Sequence, residues 1–459
     1  MKQKRILATC ILCAVSGSSF ASIQQMTMDL AEAPPFMHQG PGMPPGPPPP
    51  GGHTPPQGFP PGPPGSRLDE DTGTGAYLLR DGETLTGGTY RSINADENAM
   101  RAEGNITASL NNVTVLKHAG YASSNDASSF YGLNSAVFAL HGANLSINGG
   151  SVTATADGST GVFAYDGATI HMKNTDINVT GGNAGGIEVA GGGSIYATNL
   201  TVGSTQKAAI RSDRGGGKIV VNGGTYTTTG LMGAPAIYST AQIDVRNATL
   251  TSNDSEAVVI EGYNSVSITN SHVTGSMDGT YDRHSDQPIR NVMLYQSMSG
   301  DANNGTSTFT MNGGSLTSKN GDMFYVTNTD SVINLQNVAL TMAKGLRLLL
   351  VAGNNAEHGW GQVGNNGGIC RFNLSQQNVT GDIEVDEISQ LDMSISNGSS
   401  FTGSINSDAT KANMLTVSID ENSTWALTND SYIRVLNGSM KNIVLNGHKL
   451  VVSGKRMTP

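Results

Sequence analysis

Proline is nearly missing from most of this 459-residue chain, and charged and aromatic side chains are also scarce. Only three prolines, Pro235, Pro288 and Pro459, follow residue 64. Charged residues make up 14 % and aromatic residues 5 % of the chain, against roughly 25 % charged residues in an average soluble domain. This composition excludes a collagen, a coiled coil and a helical bundle. The formal net charge of -10 also argues against nucleic acid as a partner, because such binding depends on Lys and Arg.

The first 21 residues have the pattern of a secretory signal peptide. Basic residues precede a short apolar run, and the tripeptide Ser19–Ala21 fits a cleavage site of small residues. Cleavage after Ala21 removes Cys10 and Cys13, so only Cys370 remains and no internal disulfide is possible. No apolar run approaches the roughly 20 residues of a membrane helix. We therefore expect a secreted or cell-surface protein, or a periplasmic one, without an integral membrane segment.

Residues 22–66 carry most of the proline and are predicted to form a disordered linker. Prolines crowd between Pro34 and Pro64 and favour extended polyproline II, which the intervening glycines loosen. The glycines do not keep the three-residue period that collagen requires. The scattered His and Met residues of the linker lack the ligand spacing of zinc or copper sites. The sequence therefore predicts no metal and no cofactor.

The remaining residues, 67–459, contain a repeat of about 25 residues. Six units begin with a small residue followed by an apolar run, at positions 136, 161, 186, 209, 236 and 257. Each unit holds three short β-like runs that alternate with period two and are separated by turns rich in Asn and Gly. This pattern predicts an all-β fold, a single-stranded right-handed parallel β-helix of about 13–15 rungs. We place its C-terminal cap at about residues 410–459.

Two stretches interrupt the repeat. Residues 275–290 form an additional loop, and residues 354–368 contain Trp360, one of only two Trp residues. Insertions in solenoids leave the coil as loops and often build the binding face. We expect both stretches to contribute to a ligand-contacting surface.

An outward stripe on the first strand of each repeat carries the candidate ligand-binding residues. Positions 2 and 4 of this strand point inward, so positions 3 and 5 are predicted to lie on an exposed face. The stripe combines aromatic with charged side chains, as expected where sugar rings stack and their hydroxyl groups form hydrogen bonds. The candidates are Phe163, Tyr165, Glu188, Arg211, Tyr238, Gln296 and Tyr325.

Two carboxylates of this stripe suggest a catalytic alternative. Asp213 and Glu261 lie two rungs apart, or about 9.6 Å by the strand spacing. That separation is near the wide end for the acid and base of an inverting glycoside hydrolase. A polysaccharide hydrolase or lyase is therefore one alternative to a binding protein. A passive stalk, with Glu188 and Arg211 as a solvated surface ion pair, is another.

The repeats resemble those of autotransporter passenger domains of the pertactin kind. The resemblance rests on units such as Ala143–Thr153 and on the last segment, Ser423–Leu436, followed by Gly447–Val452. In that family, a Trp followed by a Leu and an Asp-Ser pair marks the last rungs. The family continues into a membrane barrel of roughly a dozen strands, which this sequence lacks, so we expect a passenger-like protein only. The resemblance implies an exported bacterial, adhesin-like and virulence-associated protein, and the aromatic and charged stripe predicts that its partner is a polysaccharide or a host-cell glycan.

Overall fold

A computed structural model describes residues 70–229, 234–278 and 287–458. The predicted signal peptide (1–21) and linker (22–66) lie outside the described residues. Strands account for 53 % and helices for 2 % of the structure, and the long sheets consist of parallel strands. The fold is therefore the predicted all-β parallel β-helix.

The first sheet (sheet 1) contains eleven parallel strands, one from each of eleven successive coils of the described chain. Val162 pairs with Val137 and with Ile187, and Ile187 pairs in turn with Ile210. The predicted inward column of apolar residues is therefore confirmed. The strands of sheet 1 are Met100–Glu103, Val137–Leu140, Val162–Tyr165, Ile187–Ala190, Ile210–Ser212, Ile237–Ser239, Val258–Glu261, Arg290–Tyr295, Asp322–Thr327, Arg347–Val351 and Asp382–Val385.

The second sheet (sheet 2) has 20 strands, which form two neighbouring ladders. The first ladder comprises Thr84–Thr86, Thr107–Asn111, Asn144–Asn148, Thr169–Lys173, Gly193–Ser204, Gly217–Thr228, Gln242–Arg246, Ser265–Ser276, Thr306–Ser318, Asp330–Gln336, Ile369–Ser375, Gln390–Ser396, Met414–Ile419 and Val435–Asn437. The second ladder comprises Thr89–Ser92, Thr114–Lys117, Ser151–Ala154, Asp176–Val179, Thr249–Asn253, Ala339–Met342 and the second halves of the four longest strands. The stacked strands of the first ladder agree with the predicted rung number.

Smaller elements complete the described chain. Three further sheets contain the strands Asn378–Thr380, Ser400–Thr402, Thr424–Ala426 and Ile443–Val444, then Ser431–Ile433, Leu450–Val452 and Lys455–Arg456, and finally Thr74–Gly75 with Glu97–Asn98. A short α-helix spans Asn125–Phe130, and a 3-10 helix spans Met440–Asn442. Leu450–Val452 and Lys455–Arg456 pair antiparallel, which departs from the parallel stacking of the coils.

Short turns join the two ladders of sheet 2. Asn112, Asn174, Asn199 and Asn247 each have a positive φ between 50° and 54° at the corresponding point of four coils. Asn tolerates the left-handed conformation because its short side chain forms local hydrogen bonds. Between Lys173 and Asp176, for example, the turn takes only two residues, so the ladders follow one another without a loop.

The interior is filled by the inward side chains of both sheets, mainly Val, Ile, Leu and Ala. Three aromatic rings also pack together in this interior. The centroids of Phe309 and Phe324 lie 5.8 Å apart, and those of Phe324 and Phe372 lie 5.9 Å apart. Cys370 is buried in the same interior. Stacking like residues on successive rungs gives each one contact partners above and below, which produces the close packing that stabilises protein cores.

Trp425 closes the core within the predicted C-terminal cap. Its side chain is fully buried and stacks on Phe401 with 5.7 Å between ring centroids. Its indole N–H donates to the carbonyl oxygen of Gly403 at 3.0 Å. Burial of a large ring whose polar atom keeps a partner makes this residue a strong contributor to the stability of the last coils.

Candidate functional site

The structure brings the predicted stripe together on the outer side of sheet 1. Phe163 pairs in register with Glu188, Glu188 with Arg211, and Arg211 with Tyr238. Because side chains of a strand alternate between its two faces, these residues form one continuous column. The predicted alignment is therefore confirmed for these four residues, whereas Gln296, which was predicted to extend the stripe, lies beyond the end of the strand Arg290–Tyr295.

The predicted exposure of the stripe is wrong. Glu188, Tyr238 and Glu261 are 0 % exposed, Asp213 is 2 % exposed, and only Tyr165 among the candidate residues is half-buried. The physical reason is that three connecting segments fold back over the outer side of sheet 1. They comprise residues 118–135, 296–305 and 352–368, and are called the covering segments.

The first covering segment holds the helix Asn125–Phe130 against the stripe. Ser124 caps the helix, because its hydroxyl oxygen accepts from the backbone N–H of Ala127 at 3.1 Å. The ring of Tyr131 lies 5.8 Å from that of Tyr165 in an edge-to-face arrangement. The ammonium group of Lys207 donates to the hydroxyl of Ser129 at 2.5 Å. The segment thus places a polar and aromatic layer over the column.

The other two covering segments close the column further along. The guanidinium of Arg214 contacts the carboxylate of Asp301 at 2.6 Å, which ties the second segment to the coil beneath it. The indole ring of Trp360, in the third segment, packs edge-on against Tyr295 with 5.0 Å between centroids. Aromatic pairs in this geometry add stabilisation beyond the area that they bury.

A buried ion-pair cluster lies under these segments. Arg211 donates to Glu188 at 3.1 Å and to Asp213 at 2.5 Å, and its guanidinium carbon lies 4.6 Å from the centre of the Tyr238 ring. Burial raises the pKa of Glu188, which Arg211 partly offsets. Burial, together with the positive charge of Arg211, lowers the pKa of Lys207 to about 8. The predicted pairing of Glu188 with Arg211 is confirmed, but the pair is buried rather than solvated.

Glu261 forms a second cluster, made of hydroxyl groups. Its carboxylate accepts from the phenol of Tyr238 at 2.5 Å, from the phenol of Tyr295 at 3.1 Å, and from the hydroxyl of Ser297. Burial raises its pKa to about 7, and the nearby negative charge of Asp301 acts in the same direction. The three donors partly oppose that shift, since hydrogen bonds to the charged form favour it.

The burial and the hydrogen bonds of Asp213 and Glu261 determine whether these carboxylates are accessible to a substrate. Both carboxylates lie under the covering segments, and each is bonded to neighbouring protein groups. A general acid or base must come within hydrogen-bond reach of the substrate, whereas here both groups face protein. In this structure Glu261 joins the second covering segment to the stripe through Ser297, and Asp213 holds Arg211 and the backbone N–H of Arg214.

Tyr325 is the candidate residue that lines a cavity. The cavity has a volume of about 370 Å³ and lies at the outer side of sheet 1 beside the third covering segment. Its lining residues are Gln287, Pro288, Tyr325, Leu350, Ala352, Gly353, Asn354, Asn355, Val363, Gly364, Asn366, Asp386 and Ile388. Both stretches that interrupt the sequence repeat contribute to it. Gln296, by contrast, is buried and donates to the carbonyl oxygen of Ala302 at 3.3 Å.

The polar groups of the cavity come mostly from residues that the sequence did not single out. Asp386 accepts from the backbone N–H of Gly353 at 2.8 Å and from that of Ile388 at 3.2 Å. The amide nitrogen of Asn366 donates to the carbonyl oxygen of Asn354 at 2.8 Å. Tyr325 donates to the carbonyl oxygen of Gly353 at 3.4 Å, and burial raises its pKa. These contacts fix the shape of the lining.

The outer side of sheet 2 is different, since it is open and rich in hydroxyl groups. Thr227, Thr251, Thr274 and Thr317 pair in register on successive coils, and each is partly exposed. A shallow groove of about 300 Å³ lies along part of this face. No segment of the described chain covers these threonines in the way that the covering segments cover sheet 1.

The described residues contain neither a cluster of metal-binding side chains nor a helix suited to span a membrane. Within residues 70–229, 234–278 and 287–458, no three His, Cys, Asp or Glu side chains are grouped so as to hold a metal ion. No helix in the same residues is both long and apolar enough to cross a membrane.

Comparison with protein-family models, with curated proteins and with solved structures finds no match to this chain.

Proposed function

We propose that this chain is an exported bacterial β-helix protein that binds a glycan, in the manner of an adhesin, through the cavity beside Tyr325. The observation that carries the proposal is the composition of that cavity. A phenol ring, the amide groups of Asn354, Asn355 and Asn366 and the carboxylate of Asp386 surround it together with apolar side chains. Such a mixture of a few placed polar groups on a largely apolar wall is typical of small-molecule sites.

A sugar is the ligand class that fits this mixture best. A pyranose ring has an apolar face, which packs on aromatic and aliphatic side chains, and a rim of hydroxyl groups, which bond to amides and carboxylates. The cavity volume suits one or two sugar residues of a longer chain. The open end of the cavity would let the rest of such a chain continue into solvent.

Two features of the sequence support export and a surface role. The N-terminal 21 residues have the pattern of a secretory signal peptide. The repeats and the last coils around Trp425 resemble autotransporter passenger domains, whose location is the cell surface or the medium. A protein at this location is able to contact a host-cell or microbial glycan.

Binding is favoured over polysaccharide cleavage because of the burial of the candidate acid and base. Asp213 and Glu261 are both covered and bonded to protein groups. A hydrolase or lyase that used this pair would have to displace the covering segments first. We therefore place the ligand at the cavity, not along the covered stripe.

A glycan array is the test of the proposal. Val363 lines the cavity and is 63 % exposed, so Val363→Trp should obstruct the cavity without disturbing the core and without adding charge. Val444→Trp is the matched control, since Val444 is 47 % exposed and does not line the cavity. We expect binding that Val363→Trp abolishes and Val444→Trp preserves.

Three results would contradict the proposal in different ways. Binding that survives Val363→Trp would move the site away from the cavity. Release of reducing sugars that Glu261→Gln abolishes would favour the hydrolase. Failure of every glycan to bind the wild-type protein would favour the passive stalk.

A further inference from the structure

The lining of the cavity offers a charged hydrogen-bond acceptor but no charged donor. Among its described residues there is one carboxylate, Asp386, and no Lys, Arg or His. Each oxygen of Asp386 accepts one backbone N–H, whereas an ionised carboxylate offers about four acceptor sites. The carboxylate therefore keeps acceptor capacity for a ligand.

Asn366 adds a second acceptor, which is buried. Its side chain is 1 % exposed, and its amide nitrogen donates hydrogen bonds to the backbone carbonyl oxygens of Asn354 and Trp360. Its Oδ1 atom has no hydrogen-bond partner among the described residues. A buried polar atom without a partner is costly and calls for an explanation, of which an absent ligand is one.

The two acceptors converge at Gly353. A Cβ atom placed on Gly353 would lie 2.8 Å from Asn366 Oδ1, 2.7 Å from Ile388 Cδ1 and 3.6 Å from Asp386 Oδ2. Contacts of 2.7 and 2.8 Å are shorter than a Cβ atom tolerates, so a side chain at this position would force Asn366 and Ile388 to move. The close approach of Gly353 thus brings Asn366 Oδ1 and Asp386 Oδ2 to the same part of the lining.

Two arginines near Tyr325 are held in ion pairs. Arg347 contacts Asp322 at 2.6 Å and Glu384 at 2.6 Å, and Arg290 contacts Glu256 at 2.6 Å. Among the described residues that line the cavity, Asp386 therefore carries the one formal charge. A negatively charged sugar would meet repulsion there, whereas a cationic group would be attracted.

We propose that the cavity selects glycans that carry a free amino group, with the ammonium group placed between Asp386 and Asn366. This inference rests on the proposed glycan binding and specifies its ligand class. An ammonium group supplies three N–H donors and a positive charge. Charge-assisted hydrogen bonds of this kind are about twice as strong as neutral ones.

The test compares three trisaccharides by calorimetry at low salt: fully deacetylated chitotriose, its N-acetylated form and trigalacturonic acid. We expect the deacetylated sugar to bind about tenfold or more tightly than the acetylated one, and the acidic sugar to bind least. Asp386→Asn should remove most of that preference. Asp392→Asn is the matched control, because it deletes the same charge at an exposed position that does not line the cavity.

Gly353→Ala provides a second variant that keeps every charge. Its methyl group would displace Asn366 and Ile388, so we expect weaker binding of the deacetylated sugar and a lower unfolding midpoint, with binding measured at a temperature where the variant remains folded. Equal affinity for all three sugars, or a preference that Asp386→Asn leaves intact, would overturn the inference while leaving glycan binding in place. Failure of all three sugars together with every glycan of the array would instead overturn the proposed function itself.

Discussion

The outer sides of sheet 1 and sheet 2 have the same strand geometry and opposite environments. In both, alternate residues of stacked parallel strands point away from the core. On sheet 1 those positions carry Glu188, Arg211 and Tyr238, which are buried. On sheet 2 they carry residues such as Thr225 and Thr249, which are exposed.

The length of the connections explains this difference. The turns between the two ladders of sheet 2 take as few as two residues, too few to reach the outer face. The connections at the edges of sheet 1 include the covering segments, which are long enough to fold back. In a β-helix, therefore, the environment of an outward residue depends on the neighbouring loops as much as on its own strand.

The largest expected effect is on the buried ion pairs. Arg211→Met leaves the carboxylates of Glu188 and Asp213 buried without their guanidinium, and we expect it to lower the free energy of unfolding by about 3–5 kcal/mol. Arg371→Met is the control from sheet 2, since Arg371 pairs with Asp330 at the surface. We expect its effect to stay within about 1 kcal/mol. Urea unfolding measures the free energy of unfolding of both variants. Equal losses of stability would contradict the contrast between the buried outer face of sheet 1 and the exposed outer face of sheet 2.

A similar contrast is expected for aromatic residues. Phe163→Ala removes a ring that packs edge-on against Phe138 with 5.8 Å between centroids, so we expect a loss of about 3 kcal/mol or more. Tyr196→Ala, on the exposed face of sheet 2, should cost less than about 1 kcal/mol. Thermal unfolding measures both. A Tyr196 effect as large as that of Phe163 would show that sheet 2 is also covered.

Glu261 should make stability depend on pH. Its pKa in the folded protein is about 7, above the ordinary value of 4.5. Between these values the unfolded chain releases a proton that the folded protein keeps, so stability should fall as the pH rises. The expected loss from pH 4.5 to pH 7 is on the order of 3 kcal/mol. Glu188 contributes in the same direction, because its pKa is also raised.

The contribution of Glu261 is measured by difference. Urea unfolding of the wild type and of Glu261→Gln at several pH values should show a flatter profile for the variant. Glu387→Gln, at an exposed position, should keep the wild-type profile. If Glu261→Gln retains the full slope, the titrating group lies elsewhere.

The smallest expected effect concerns the first covering segment alone. Ser124→Ala removes the cap of the helix Asn125–Phe130, with an expected cost of about 1 kcal/mol. Hydrogen exchange should increase in residues 118–135 while the strands of sheet 2 remain protected. Uniform loss of protection across both sheets would mean that the segment and the coils unfold as one unit.

Much of the fold follows from local patterns in the sequence. The repeat of small and apolar residues sets the register of Val137, Val162 and Ile187, because each must face the interior on every coil. Scarce proline agrees with a continuous hydrogen-bonded ladder, which proline would interrupt. The turn positions of Asn112 and Asn174 follow from the left-handed conformation that Asn tolerates.

The site was less predictable because it joins residues that are distant in the sequence. Asn366, Asp386 and Gly353 belong to no repeat motif, and Tyr325 lies on a separate coil. Their proximity depends on how residues 352–368 fold back, which local patterns do not encode. The available signals were the two interruptions of the repeat, residues 275–290 and 354–368, which both contribute residues to the cavity.

The sequence by itself determined the parallel coils, their register and the alignment of Phe163, Glu188, Arg211 and Tyr238 in one column. The reason is that strand alternation and repeat spacing are local properties of the sequence, and they recur in every coil. Only the tertiary structure decided that this column is buried and that a cavity opens beside Tyr325. The reason is that burial depends on what packs against a surface, and the covering segments are not part of the repeat.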